Sequence, residues 1–122
     1  MPLTPLSLGR QTVQESPKVV VLMIAGDVDY LNVPGVESYF DELLLQEEPR
    51  HLLLDLTGLT FLVTPFLGSL LFWKEALGKR GGKFVVFGMN RLVEPTMRVM
   101  RLSRVLTLCP DREAALAVLS RD

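Results

Sequence analysis

Val19-Val20-Val21-Leu22-Met23-Ile24-Ala25 is followed, at helix-length intervals, by His51-Leu52-Leu53-Leu54-Asp55-Leu56 and Lys83-Phe84-Val85-Val86-Phe87-Gly88-Met89. Each is a short apolar run bounded by Gly, Pro or Asp, the pattern of a strand buried on both faces. The intervals carry helical spacing instead. Val36, Phe40, Leu43 and Leu44 recur between Val33 and Leu45, with Asn32 as the expected N-cap, Pro34 in the first turn and Pro49 as the stop. Thr64-Pro65 has the form of a second helix start: Thr64 as N-cap, Pro65 at the first helical position, where its missing N–H costs nothing. That helix is expected to reach about Leu77, ended by Gly78 and Gly81-Gly82.

Outward from these runs the pattern continues. Leu6–Glu15 alternates weakly, as an edge strand does, and Ser16-Pro17 reads as the turn after it. Val93–Leu102 reads as a helix with Pro95 near its start, Val105–Leu108 as a short strand, and Arg112–Leu119 as a last helix capped by Asp111. The order β-β-α-β-α-β-α-β-α predicts one α/β domain over residues 1–122, its sheet mixed but parallel in the centre and flanked by about four helices. Residues 1–5 are expected to be flexible.

Composition narrows the function. With 13 Lys plus Arg against 14 Asp plus Glu, the net charge is −1, so the basic field that nucleic-acid binding needs is missing. One cysteine, Cys109, excludes an internal disulfide, and one histidine, His51, excludes a His-rich zinc site. Met1–Arg10 has no apolar core of a signal peptide. The longest apolar stretch, Phe61–Trp73, is interrupted by Thr64, Pro65, Gly68 and Ser69 and falls short of the about 20 residues that span a bilayer. A cytoplasmic protein that avoids membranes is the expectation.

Catalytic and cofactor motifs are not apparent. Gly78–Lys83 is glycine-rich but precedes a strand, whereas a phosphate-binding loop follows one. His51 has no neighbouring Ser or Cys to complete a triad. Cys109 reads as a small buried hydrophobe, and Asp27 with Asp29 as turn formers rather than metal ligands. Arg91, Arg98, Arg101 and Arg104 read as a solvated face. No catalytic residue, metal or cofactor is expected.

The helix after Thr64 is the informative segment. Leu67, Leu70, Leu71, Lys74 and Leu77 share one arc and are expected to face the core. Phe66 and Trp73 flank that arc, and Phe72 points away from it. A helix apolar beyond its core stripe is either fully buried or offers a patch to a partner. The aromatic surplus is read here as a docking surface, one that could also serve self-association.

Together these residues resemble the STAS domain of anti-sigma-factor antagonists. Gly26-Asp27-Val28-Asp29, the helix after it, His51–Leu56, Leu59–Phe61 ahead of a helix, and Gly81-Gly82-Lys83 ahead of a strand carry the likeness. So do Val93, Met97, Leu102 and Leu106 followed by Glu113-Ala114-Ala115-Leu116. The resemblance implies a four- to five-stranded sheet and a bacterial regulator of transcription. Such a regulator binds a kinase-type anti-sigma factor or related protein and is released by phosphorylation at the start of the second helix. Thr64 falls on the phosphorylated position, but the family pattern Asp-Ser-Ser-Gly-Leu reads here Val63-Thr64-Pro65-Phe66-Leu67. The expected module is therefore non-enzymatic, with an altered or lost phospho-switch and a partner surface at Asp27, Asp29, Val63, Pro65, Phe66, Phe72 and Trp73. The alternatives are an antagonist switched at Thr64, or a STAS-like domain that binds a small molecule or lipid.

Overall fold

Strand β2 (Lys18–Val28) is the hub of the sheet, with β1 (Ser7–Glu15) on one side and β3 (His51–Asp55) and β4 (Leu59–Leu62) in succession on the other. The computed structural model describes residues 3–121. Beyond β3 lie β5 (Phe84–Phe87) and β6 (Thr107–Cys109), in the order β1-β2-β3-β5-β6. β1 is antiparallel to β2; every other pairing is parallel. The helices are α1 (Val33–Glu47), α2 (Thr64–Lys79), α3 (Glu94–Val99) and α4 (Arg112–Leu119), with a 3₁₀ turn at Leu102–Arg104.

The α/β architecture is the one the sequence predicts, with one more strand than its five. β4 has four residues and runs into α2 with only Val63 between, so no breaker marks its end. α3 is shorter than expected: after Val99 and Met100, Arg101 turns left-handed at φ 55° and the chain continues as the 3₁₀ turn. That displaces β6 two residues downstream of its expected start. Of residues 1–5, expected to be flexible, Thr4 is hydrogen-bonded to the end of β2. The Thr4 N–H donates to Asp27 Oδ2 and the Asp27 N–H to the Thr4 carbonyl, both at 3.0 Å; residues 1 and 2 lie outside the described residues.

The apolar runs are continuous because both faces of the sheet are covered. Val20, Leu22, Ile24, Leu52, Leu54, Phe84 and Val86 pack under α1, α2 and α3. Val19, Val21, Leu53, Val85, Phe87 and Cys109 face the other way, against Ala115 of α4. Asp111 caps α4 as expected, accepting from the Ala114 N–H at 2.9 Å.

On α2 the core face matches the expected arc only in part. Leu67, Leu70 and Leu77 are buried as expected, but Phe66 and Trp73 join them, while Leu71 and Lys74 are exposed. Trp73 stacks on Phe40 of α1 with ring centroids 4.5 Å apart and meets Phe66 and Phe84 edge-on at 6.0 and 6.3 Å. At 1% exposure Trp73 cannot touch a partner, and Phe66 and Val63 are buried as well. The expectation that these three residues form a docking surface is therefore corrected. α1 lies close enough over the sheet to convert the aromatic edge of α2 into its inner face. Of the α2 aromatics only Phe72 stays outside.

Trp73→Ala should accordingly cost about 3–5 kcal/mol, as truncation of a buried aromatic does. Phe72→Ala should stay within about 0.5 kcal/mol of the wild type. Urea denaturation of the two variants measures the contrast, and equal losses would contradict the inward orientation of Trp73.

Candidate functional site

Gly26 is where the site begins. Its φ of 84° lies in the left-handed region, and a Cβ there would sit 2.0 Å from the Pro5 carbonyl oxygen. Only glycine permits this bend. Past it, β2 leaves β3 and pairs with β4, Asp27 opposite Phe61 and Val28 opposite Leu62. The ends of β2 and β4 therefore deliver the β2–α1 loop and the start of α2 to the same place. The Val63 N–H donates to the Val28 carbonyl at 3.1 Å and fixes that junction.

The loop Asp29–Asn32 is locked by side chains. Asp27 Oδ1 accepts from the Thr60 hydroxyl at 2.6 Å, joining β2 to β4. Asp29 Oδ1 accepts from the N–H groups of Leu31 and Asn32, both at 2.9 Å. The Asn32 side chain accepts from the Asp29 N–H and donates to the Asp27 carbonyl, again both at 2.9 Å. Asn32 does occupy the N-cap position of α1, but makes no side-chain cap bond, because its amide is committed to the loop. The turn-forming chemistry of Asp and Asn explains why these residue types stand here. The network also places both carboxylates in structural roles, and the described residues contain no group of three potential metal ligands.

The locked loop presents apolar side chains to solvent: Tyr30 is 71% exposed, Leu31 92%, and Phe61 on β4 51%. Beside them α2 starts, with Val63 and not Thr64 as its N-cap residue and with no side-chain cap. Thr64 is the first helical residue, exposed, and followed by exposed Pro65. Pro65 has no N–H, and the Phe66 N–H donates to the Val63 carbonyl at 3.0 Å. This helix start thus offers an anion fewer amides than an ordinary one.

The structure gathers Asp27, Asp29, Thr64 and Pro65 at one end of the sheet. Phe72 lies further along α2, on the outward face it shares with Pro65 and Gly68, while Val63, Phe66 and Trp73 lie beneath the surface. Asn32 and Thr60 as loop braces, and Tyr30 and Leu31 as exposed side chains, were not anticipated. The signal for the braces was present: two Asp and an Asn within six residues after a buried strand suit an Asx-type turn.

The remaining candidates have structural explanations. The His51 ring accepts the Lys83 N–H at Nδ1, 2.9 Å away. Burial, and then the charges of Arg50 and Lys83, hold its pKa below the usual value. Cys109 is buried, and burial pushes its thiol pKa up, away from a reactive thiolate. Among the described residues no helix is long and apolar enough to cross a membrane.

The sequence profile of the STAS domain matches residues 10–115. The chain belongs to that family. It is 24% identical over 92 residues to an anti-sigma F factor antagonist of Paenibacillus polymyxa, a match covering 75% of this chain and 76% of that protein. The crystal structure of an anti-sigma factor antagonist from Mycobacterium paratuberculosis superimposes with a TM-score of 0.78 at 23% identity, over 94% of this chain and 96% of that one. A putative anti-sigma factor antagonist from Thermotoga maritima gives 0.82 at 18% identity, over 93% and 95% of the two chains. At such identities the structural likenesses establish the STAS fold.

Two outcomes test this geometry. Asn32→Ala strands the Asp29 N–H and the Asp27 carbonyl, so stability should fall by about 1–3 kcal/mol. Hydrogen exchange at the Asp29 amide should accelerate; unchanged exchange would show that the loop is held by other means. For His51, the depressed folded pKa means the neutral ring is the form that stabilises the fold. That contribution is complete above the unfolded value of about 6.5 and is lost as pH falls through the folded value. Denaturation midpoints should therefore drop on acidification below about pH 6.5, and His51→Gln should flatten that segment of the profile.

Proposed function

We propose that the chain is a non-enzymatic regulatory module of the anti-sigma-factor antagonist kind, acting in the bacterial cytoplasm on transcription. Its partner is a kinase-type anti-sigma factor or a related regulatory protein. The observation that carries this reading is the locked loop Asp29–Asn32, which holds Tyr30 and Leu31 in solvent beside Phe61 and Thr64. Large apolar side chains exposed on a braced loop lose little entropy on docking, and aromatic residues are over-represented among the residues that dominate binding. Asp27 and Asp29 act by positioning this surface, and Pro65 and Phe72 extend it along α2.

Thr64 sits at the rim of that surface. A phosphate there would add a charge of about −1.5 to −2 to an apolar interface and oppose docking. With Pro65 lacking its N–H, α2 would hold the phosphate less well than a start with its full set of amides. The phospho-switch is thus altered in its chemistry. Membership of the STAS family and the likeness to anti-sigma factor antagonists support the choice of partner class.

The test is a binding titration against the kinase-type anti-sigma factors encoded in the same genome. Tyr30→Ala and Phe61→Ala should each weaken the complex tenfold or more, about 1.4 kcal/mol, as should Thr64→Glu, with folding unchanged. Absence of binding to every such factor, or binding indifferent to all three variants, would overturn the reading. Incubation with ATP then reads the switch: phosphate gained by the wild type but not by Thr64→Ala marks it as working, and no phosphate on either marks it as lost.

A further inference from the structure

α2 is the middle one of three strips that lie side by side on the helical face of the sheet. On one flank the Ser69 hydroxyl donates to Glu37 of α1 at 2.9 Å and Phe40 of α1 stacks on Trp73. On the other flank Lys74 Nζ donates to the Val105 carbonyl, just past the 3₁₀ turn, at 2.5 Å. α3 and the 3₁₀ turn cover the same sheet face through Met97 and Leu102.

The outer strips carry opposite charge. From Val33 to Glu48 the chain has five acidic residues and no basic one. Glu47 is taken up by Lys18 and Arg10. Asp41, Glu42 and Glu48 form no ion pair among the described residues and surround Leu45, which is 80% exposed at the crest of α1. From Arg91 to Val105 there are four arginines and one acid, Glu94, which pairs with Arg98. Arg91, Arg101 and Arg104 form no ion pair among the described residues and stand beside the exposed side chains of Val99, Met100 and Val105.

The middle strip is apolar at its centre and carries the Glu75–Lys79 ion pair towards its C-terminal end. Leu71 and Phe72 are exposed on the outward face of α2, and a Cβ added at Gly68 or Gly78 would meet nothing within 4 Å. An open groove of about 570 Å³ runs between Leu71, Lys74, Gly78 and Val105.

Acid, apolar, base, in that order, is a self-complementary surface. Rotating a second copy by half a turn about an axis through the middle strip sets acid against base twice and apolar against apolar. We propose that a second copy of this chain docks here as a two-fold dimer. α2 faces α2, and α1 of each copy faces the Arg91–Val105 segment of the other. An anionic membrane or an acidic peptide would suit the arginines but would be repelled by Asp41, Glu42 and Glu48 on the same face. A second copy satisfies both strips. Tyr30, Leu31 and Phe61 take no part, but Phe72 lies in both surfaces, so the dimer overlaps the regulatory docking proposed above on α2 and is tested in its absence.

Sedimentation of the purified chain alone, without any kinase, tests the proposal. A concentration-dependent dimer is expected, weakened at least tenfold between about 0.1 M and about 1 M salt as the screening length falls from about 10 Å to about 3 Å. Asp41→Lys with Glu42→Lys reverses the unpaired charge of the acidic strip, leaving Glu48 beside two lysines, and Arg101→Glu with Arg104→Glu reverses that of the basic strip, leaving Arg91 beside two glutamates. Each double variant should be monomeric alone, and an equimolar mixture should form a heterodimer, which also shows that both are folded. A wild type that stays monomeric, a double variant that still dimerises, or a mixture that stays monomeric would each overturn the proposal. A mixture that grows into chains longer than dimers would overturn the two-fold arrangement.

Discussion

The change of partner along β2 is the constraint from which the rest of the structure follows. An eleven-residue strand outlasts the five-residue β3 beside it, so its last residues need another neighbour or leave backbone groups unpaired. The left-handed bend at Gly26, with the Pro5 carbonyl filling the space of a side chain, is what lets the strand turn toward β4. β4 in turn leads directly into α2. A side chain at residue 26 would disturb at once the N-terminal segment, the last strand pairing, the braced loop and the entry to the central helix.

The second level of organisation is aromatic. Trp73, held between Phe40, Phe66 and Phe84, joins α1, α2 and the sheet in one contact set. The Ser69–Glu37 hydrogen bond repeats the α1–α2 link nearer the surface. Because both helices begin at the ends of the β2–β4 pair, this packing fixes the angle at which their N-termini meet solvent. The exposed loop is rigid for two separate reasons: its own Asp and Asn hydrogen bonds, and the fixed helix start behind it. Polar bracing and aromatic packing act on the same few residues from opposite sides.

How far the sequence could be read follows from the range of each interaction. The buried strands and α4 with its Asp111 cap are set by local pattern, and they stand where the pattern puts them. β4 was hidden because four residues between a strand and a helix have no room for a breaker. The inner face of α2 is turned from the expected arc toward Phe66 and Trp73, though Leu67, Leu70 and Leu77 stay buried. Helical spacing alone allowed a stripe through Leu71 and Lys74, and only the approach of Phe40 from α1 selects the stripe through Trp73. The same packing removes Phe66 and Trp73 from the surface. Asp27, Asp29 and Thr64 were placed by resemblance, and the structure adds what resemblance could not: which side chains brace the loop and which project from it.

Net charge was the least informative of the sequence properties, and the reason is geometric. A value of −1 describes the field far from the molecule, where the 13 basic and 14 acidic groups are summed. At contact the field is set by groups within a screening length of about 8–10 Å, comparable to the spacing of neighbouring packed helices. α1 and the Arg91–Val105 segment are separated by the width of α2, far enough for each to keep its own sign. A chain that is nearly neutral as a whole can therefore present a strongly acidic and a strongly basic strip to anything that lies across its helical face. The expectation from composition that nucleic acid is not a partner concerns the domain as a diffusing body. It says little about what the helical face recognises at short range, where the alternation of acid, apolar crest and arginine carries the specificity.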